Sequence, residues 1–207
     1  MRVRSSPSYL PQLLGLGIIG FVSVALSTTW GVALSNDSVN YVKVARAAIA
    51  GREFTITQYQ PLYPAVLVLV GRLGLDVLVA ARWLGAGLLL LNVLLIGVFI
   101  YRYSDRSRFA AWLGASLFLT SVPVLRMHSF ALSEPLFLLL TTASLLLLCG
   151  YLDVGRPAWL AGSALTAGLA LLTRYLGLPL IATSLLALAL LDARRSLPRV
   201  LFFAAVS

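Results

Sequence analysis

The chain has 207 residues, of which 60% are hydrophobic and only 11% are charged, and its mean hydropathy is +0.95. This apolar content exceeds what one soluble core of that length can bury, so we expect the lipid bilayer to be the main solvent. The formal net charge is +9. Because the basic residues are spread through short loops between apolar segments, we interpret them as contacts to lipid headgroups and expect no nucleic-acid partner.

Apolar segments predict an all-α fold, a polytopic transmembrane bundle of about six complete spans and the start of a seventh. Two long runs, 109–150 and 157–191, each exceed one helix and are divided at polar residues. The first is interrupted at Arg126-Met127-His128 and Ser133-Glu134-Pro135, and the second at Thr173-Arg174-Tyr175. The predicted spans are 13–34, 76–101, the two halves of 109–150, the two halves of 157–191, and a segment starting at Leu201. We interpret 1–207 as a single transmembrane domain and expect it to be the N-terminal fragment of a longer protein.

The segment 35–75 is the longest stretch of mixed polarity and is predicted to be the first outer loop. From Asp37 to Ala50, apolar residues recur near helical spacing, which predicts an amphipathic helix lying in the membrane interface. Pro61-Leu62-Tyr63-Pro64 then breaks the chain before a short apolar run, 65–70, that is too short to span. The loop is therefore expected to contain interfacial helices.

A glycine pattern in the first span, Gly15-Leu16-Gly17-Ile18-Ile19-Gly20, formally matches a dinucleotide-binding fingerprint. No strand precedes it and no soluble βαβ unit follows it, so this match is interpreted as false. Small residues at this spacing favour a helix face that packs closely against another helix.

The distribution of arginine predicts the orientation in the membrane. Alternating the spans puts the N-terminus and the loops 102–108, 153–156 and 192–199 on one side, and this side carries nine arginines in short segments. The positive-inside rule makes this side cytoplasmic. The opposite, outer side carries four acids, namely Asp37, Glu53, Asp76 and Glu134.

Asp37 and Glu134 are the candidate catalytic residues, because both are predicted at outer starts of helices where they could converge over one cavity. A carboxylate there can take a proton from an acceptor hydroxyl. Each also has a structural interpretation: Asp37 as an N-cap in Ser35-Asn36-Asp37-Ser38, and Glu134 as a first-turn acid between Ser133 and Pro135. Local sequence alone leaves both interpretations open.

Other candidates are basic or aromatic. Arg174 has two interpretations. It either only extends its side chain to the lipid headgroups, or it binds phosphate through its guanidinium fork, with Tyr175 beside it as an aromatic surface. His128 is the only histidine and Cys149 the only cysteine. They do not supply the several nitrogen or sulfur ligands of a zinc enzyme, and a lone histidine is more often a structural hydrogen-bonding group.

Four motifs occur in a recognisable order along the chain. These are Asp37-Ser38-Val39-Asn40-Tyr41, Pro61-Leu62-Tyr63-Pro64, Ser133-Glu134-Pro135-Leu136-Phe137 and Leu172-Thr173-Arg174-Tyr175-Leu176-Gly177. In this order the chain resembles the N-terminal membrane core of the integral-membrane glycosyltransferases of the C superfamily. It looks nearest to the bacterial relatives of protein O-mannosyltransferases and of the lipid A aminoarabinose transferase. The resemblance extends over essentially the whole chain.

The resemblance implies a function and roles for particular residues. The donor would be a polyprenyl-phosphate-linked sugar, and the acceptor a lipid, glycan or protein on the outer face of a bacterial inner membrane. Asp37 matches the general base, and Glu134 the acid that arranges the site or a divalent cation, to which Asp37 could also contribute. Arg174 would neutralise the departing phosphate. The remaining expected substrate-binding residues are Tyr41, Tyr63, His128 and Tyr175.

Two departures and one alternative accompany this resemblance. Asp37 stands alone rather than in an acidic pair, and Gln60 replaces the proline that often precedes Pro-Leu-Tyr in the family. These two departures affect what the resemblance implies about the substrate class and the use of a metal. The alternative is a non-enzymatic membrane protein such as a lipid or solute transporter, whose charged groups would line a path near the bilayer midplane.

Overall fold

Ten α-helices form the regular structure of residues 9–54, 59–191 and 196–207, which are the residues that the computed structural model describes. Within them the all-α prediction is confirmed. The helices are α1 (Leu10–Ser27), α2 (Asn36–Ile49), α3 (Leu62–Gly71), α4 (Val77–Tyr103), α5 (Arg108–Thr120), α6 (Val122–Ser129), α7 (Glu134–Val154), α8 (Pro157–Thr173), α9 (Gly177–Leu191) and α10 (Ser196–Val206). The predicted cytoplasmic arginines Arg2, Arg4, Arg194 and Arg195 lie outside the described residues.

Three of the described helices, α1, α4 and α7, are long and apolar enough to cross a membrane, which indicates an integral membrane protein. The pair α5 and α6 makes a fourth candidate if it counts as one span broken by a bend of 59°. The prediction of six complete spans is not confirmed. Helices α8 and α9 have only 17 and 15 residues, and at a rise of about 1.5 Å per residue they are shorter than a hydrocarbon core of about 30 Å.

Helix α4 is the central element, and it packs against α1, α5 and α7. On its α1 side the contact depends on small residues, because a Cβ added at Gly17 or Gly20 would approach Leu90 or Leu89 within 3.2 Å. The interpretation of this glycine pattern as a packing face is therefore confirmed for Gly17 and Gly20. A Cβ at Gly15 would meet nothing within 4 Å.

The predicted first outer loop contains two helices. Helix α2 begins after the N-cap Ser35, whose side chain accepts a hydrogen bond from the backbone N–H of Ser38, and α3 has 10 residues. Both helices contribute to one apolar cluster with the start of α4, which buries Tyr41, Tyr63 and Leu67 together with Val77. Burial against α4 therefore fixes α2 and α3 at one end of the bundle.

That end, called the site end below, is where α1, α6 and α8 finish and where α4, α7 and α9 begin. The other end contains the turns that join α4 to α5 and α7 to α8. There Arg102 and Asp153 form an ion pair of 3.1 Å, and the Arg102 guanidinium lies over the Trp159 ring. The chain thus brings the residues of the predicted outer loops together at the site end.

Candidate functional site

Two connections at the site end are joined by backbone hydrogen bonds. The Ala33 N–H donates to the Ser129 carbonyl over 3.0 Å, and the Ala131 N–H donates to the Ala33 carbonyl over 3.1 Å. These bonds form an isolated bridge between Ala33 and Phe130. The segment after α1 therefore lies beside the segment before α7, and the starts of α2 and α7 become neighbours.

Asp37 lies in the first turn of α2 but is not its N-cap. Ser35 performs that function, so the N-cap interpretation of Asp37, one of the two left open by the sequence, is wrong. The Asp37 carboxylate instead accepts a hydrogen bond of 3.1 Å from the hydroxyl of Tyr59. A carboxylate in the first turn is also favoured by the helix dipole. The acid is thus held by a side chain from outside its own helix.

Glu134 and Arg174 form an ion pair. Glu134 is the first residue of α7 and Arg174 is the residue that ends α8, and Oε1 of the carboxylate lies 2.8 Å from Nη1 of the guanidinium. The two side chains are 33% and 28% exposed, so the pair is only partly accessible to solvent. The second carboxylate oxygen, Oε2, is buried without a hydrogen-bond partner.

Ser133 links this ion pair to α2. Its hydroxyl accepts a hydrogen bond of 3.2 Å from Nη1 of Arg174 and lies 3.2 Å from the hydroxyl of Tyr41. The Ser133 side chain makes no capping bond to α7, although a serine before Glu-Pro favours that role. Tyr41, Ser133 and Arg174 therefore form a chain of hydrogen bonds across three helices.

A cavity of 260 Å³ opens at this point of the site end. Asp37 and Arg174 both line it, and Tyr175 beside it is 73% exposed. The other lining residues are Tyr41, Tyr59, Gln60, Thr173 and Leu176. The fold thus places a carboxylate and a guanidinium on the walls of one cavity.

The predicted site residues divide into two groups. Asp37, Tyr41, Arg174 and Tyr175 line the cavity, and Glu134 joins them through its ion pair with Arg174. The structure does not bring Tyr63 and His128 to the cavity lining. Tyr63 is 1% exposed and packs edge-on against Tyr41, with ring centroids 5.2 Å apart, so it supports the cavity wall from behind.

His128 has a structural environment. It is 1% exposed, and its two ring nitrogens lie 2.7 Å from the Val124 carbonyl oxygen and 3.1 Å from the amide nitrogen of Asn92. Both nitrogens are therefore engaged inside the protein, which matches the interpretation of a lone histidine as a hydrogen-bonding group.

Burial keeps the tyrosines of α2 and α3 in their neutral form. The pKa of the Tyr41 hydroxyl is raised above its ordinary value of 10.0, chiefly by burial, and the hydrogen bond with Ser133 and the charge of Arg174 oppose this rise. Burial also raises the pKa of Tyr63. Near neutral pH these hydroxyls can donate hydrogen bonds, whereas Asp37 and Glu134 are the candidate proton acceptors.

The divalent cation stays a prediction. Among the described residues no group of three His, Cys, Asp or Glu side chains comes together. Oε1 of Glu134 lies 2.8 Å from Nη1 of the positive Arg174 guanidinium, which disfavours a cation at that oxygen.

Two residues of the site have partners that the sequence does not predict. Tyr59 precedes Gln60-Pro61-Leu62-Tyr63, and its aromatic hydroxyl is the one local signal of a partner for an acid. The sequence predicts Ser133 as a helix cap and gives no sign of its contact with Arg174. Their contacts with Asp37 and Arg174 cross long intervals of sequence, so no local pattern identifies them.

Comparisons of the chain with family models, with characterised proteins and with solved structures found no match.

Proposed function

We propose that the chain carries the catalytic membrane region of a glycosyltransferase. It would transfer a sugar from a polyprenyl-phosphate donor to a lipid, glycan or protein acceptor at the outer face of a bacterial plasma membrane, with the N-terminus cytoplasmic. The observation that carries the proposal is that Asp37 and Arg174 line the same cavity. A proton acceptor and a phosphate-binding cation are the two groups that this transfer needs.

The proposed reaction uses each group at one bond. An oxygen of the acceptor hydroxyl attacks the anomeric carbon of the sugar, and the bond from that carbon to the phosphate oxygen breaks. Asp37 takes the hydroxyl proton, and the electron pair leaves with the polyprenyl phosphate. Arg174 stabilises the negative charge that develops on this leaving group.

The surroundings of the cavity suit a donor with a lipid tail. Tyr175 and Leu176 line the cavity and are 73% and 59% exposed, and the neighbouring Leu178 is 61% exposed. In a bilayer these apolar surfaces favour contact with acyl or polyprenyl chains. A donor can then bring its phosphate to Arg174 while its tail stays in lipid, and little water reaches the sugar.

A transporter is the alternative, and its charged groups would line a path near the bilayer midplane. The buried polar residues Asn92 and His128 within the bundle are hydrogen-bonded to each other and to backbone carbonyl oxygens. The charged residues Asp37, Glu134 and Arg174 instead gather at one end of the bundle.

The proposal is tested with the full-length protein in proteoliposomes, with a cell-envelope extract as the source of lipid, glycan and protein acceptors and a panel of radiolabelled polyprenyl-phosphate hexoses and pentoses as donors. Wild-type protein should release polyprenyl phosphate from at least one donor, and Asp37→Asn should abolish release at unchanged protein level. Asp76→Asn is the matched control, because Asp76 is a carboxylate at the same end that pairs with Arg46 outside the cavity. Equal turnover by wild type and Asp37→Asn would refute the role of Asp37, and turnover of no donor by wild type would refute the proposal.

A further inference from the structure

A buried polar cluster lies inside the bundle behind the start of α7. Asn92, near the middle of α4, is fully buried, and its amide nitrogen donates to the Pro135 carbonyl oxygen over 3.0 Å and to Nε2 of His128 over 3.1 Å. An amide side chain within an apolar span is costly unless it is hydrogen-bonded. Neither Asn92 nor His128 lines the cavity, so the proposed reaction does not account for them.

The geometry determines the direction of these hydrogen bonds. Nδ1 of His128 lies 2.7 Å from the Val124 carbonyl oxygen, which can only accept, so Nδ1 carries the hydrogen. Nε2 is then the acceptor, and the Asn92 amino group must face it. The same amino group donates its second hydrogen to Pro135. These hydrogen bonds therefore fix the positions of Asn92, His128 and the start of α7 relative to one another.

The cluster anchors the segment that carries part of the site. Pro135 follows Glu134 at the beginning of α7, and a Cβ at Gly85 of α4 would collide with the His128 carbonyl oxygen. Gly85 and Asn92 are seven residues apart and thus lie on the same face of α4, about two turns from each other. This face of α4 contacts both sides of the break between α6 and α7.

We propose that Asn92 is a positioning residue that anchors the first turn of α7 from inside the bundle. By holding the Pro135 carbonyl, it sets the place of Ser133 and Glu134, so that both reach Nη1 of Arg174. The link from this anchor to turnover rests on the proposed glycosyltransferase function. The anchor itself does not, and it can be tested without a substrate.

The first test uses the ring nitrogens of His128, the only histidine of these 207 residues. In full-length protein labelled with ¹⁵N-histidine, the His128 signals are identified by their loss in His128→Gln, and they should show Nδ1 protonated and Nε2 unprotonated but hydrogen-bonded. Asn92→Leu should move the Nε2 signal toward that of a free acceptor nitrogen. A wild-type spectrum with the hydrogen on Nε2, or an Nε2 signal unaffected by Asn92→Leu, would overturn the arrangement. Asn92→Ser serves as the second variant if Asn92→Leu does not accumulate.

The second test measures coupling between the anchor and the ion pair. Thermal unfolding midpoints are compared for Asn92→Leu, Arg174→Ala and the double variant. If Asn92 acts through Glu134 and Arg174, the change in midpoint of the double variant should differ from the sum of the changes caused by Asn92→Leu and Arg174→Ala. Ser144→Ala is the matched control, since its buried hydrogen bonds join α7 to Ser163 of α8, about 15 Å along α7 from Glu134. The changes in midpoint caused by Ser144→Ala and Arg174→Ala should be additive. If the changes caused by Asn92→Leu and Arg174→Ala are additive too, the positioning role of Asn92 is overturned.

The third test concerns turnover. Asn92→Leu should lower kcat about tenfold and also lower the donor KM, because the displaced Glu134 and Ser133 no longer orient Arg174 and Glu134 no longer competes with the donor phosphate for it. Ser144→Ala should leave both constants unchanged. Unchanged kcat in Asn92→Leu would refute the link to turnover. Absence of turnover in wild type would refute the glycosyltransferase proposal but not the anchor. The histidine spectra and the comparison of unfolding midpoints test the anchor without a substrate.

Discussion

Nη1 of Arg174 lies 2.8 Å from Oε1 of Glu134 and 3.2 Å from Oγ of Ser133. The same nitrogen therefore makes both of these contacts, on the side of the guanidinium that faces α7. Arg174 also lines the cavity. A guanidinium has five N–H donors in a planar fork, so it can be held by α7 through one nitrogen and bind an anion through its other nitrogens.

Arg174 is expected to bind the donor phosphate. Arg174→Ala should lower kcat/KM for a polyprenyl-phosphate sugar by about 10²-fold, the scale seen when one charge-stabilising donor is removed from an active site. Arg174→Lys should retain part of the activity, since it keeps the charge but loses the fork. Arg46→Ala is the control, because Arg46 pairs with Asp76 at the same end and does not line the cavity. Equal activity of Arg174→Ala and wild type would contradict this role.

Glu134 is expected to compete with the donor phosphate for Arg174. Glu134→Gln keeps the size of the side chain and an acceptor oxygen for Nη1 but removes the negative charge. The donor KM should therefore fall several-fold, which is measured from initial rates across donor concentrations. Asp76→Asn, which removes a carboxylate that does not line the cavity, should leave the KM unchanged. A higher KM in Glu134→Gln would show instead that the carboxylate helps to hold the donor.

Gly85 is expected to stabilise the protein because the absence of a side chain lets α4 approach the end of α6 closely. A Cβ at this position would meet the His128 backbone carbonyl, which cannot move aside as a flexible side chain can. Gly85→Ala should therefore destabilise the protein by about 1–3 kcal/mol, as overpacking of a core does. Reversible unfolding in detergent with increasing SDS measures the change.

Gly87 supplies a matched control within two residues of Gly85 in the same helix. A Cβ at Gly87 would meet nothing within 4 Å. Gly87→Ala should therefore be neutral or stabilise the helix by up to about 1 kcal/mol. Similar losses in Gly85→Ala and Gly87→Ala would contradict the predicted close approach at Gly85.

The two ends of the bundle are expected to lie on opposite sides of the membrane. Asn36 at the site end and Arg156 in the turn between α7 and α8 are both exposed. Asn36→Cys and Arg156→Cys are made separately in a background that lacks native thiols, in which Cys149, the only cysteine of these 207 residues, and any further cysteine of the full-length protein are replaced by serine. A membrane-impermeant maleimide applied to intact cells should label Asn36→Cys alone. Labelling of both variants from outside, with label excluded from the cytoplasm, would contradict the topology.

The sequence pattern predicted the long helices well, because composition alone decides whether a segment is apolar over the length of a bilayer. Helices α1, α4 and α7 correspond to predicted spans, and α2 was predicted from its amphipathic pattern. The six-span interpretation failed to be confirmed at 157–191. There the polar interruption at Arg174 was recognised correctly, but it leaves helices of 17 and 15 residues.

For the candidate site, the sequence identified residues but not their partners. Asp37, Glu134 and Arg174 stood out as charged groups at predicted helix ends. The hydrogen-bonding partners Tyr59 and Ser133 did not, and neither did the positioning residue Asn92, because these are common polar residues whose role depends on which side chains pack against them. Asn92 contacts His128 and Pro135 over 36 and 43 residues of chain, distances at which local patterns carry no information.

By itself the sequence determined that this protein is helical and integral to a membrane, because the free energy of placing apolar side chains in lipid is a property of each segment. It also determined which charged residues fall between the apolar segments. Only the tertiary structure decided that Ser35 rather than Asp37 caps α2, that Glu134 pairs with Arg174, and that Asp37 and Arg174 line one cavity. These outcomes depend on the packing of α2 and α7 against α4 and of α8 against α3 and α7, and packing is decided by side chains that are far apart in the sequence.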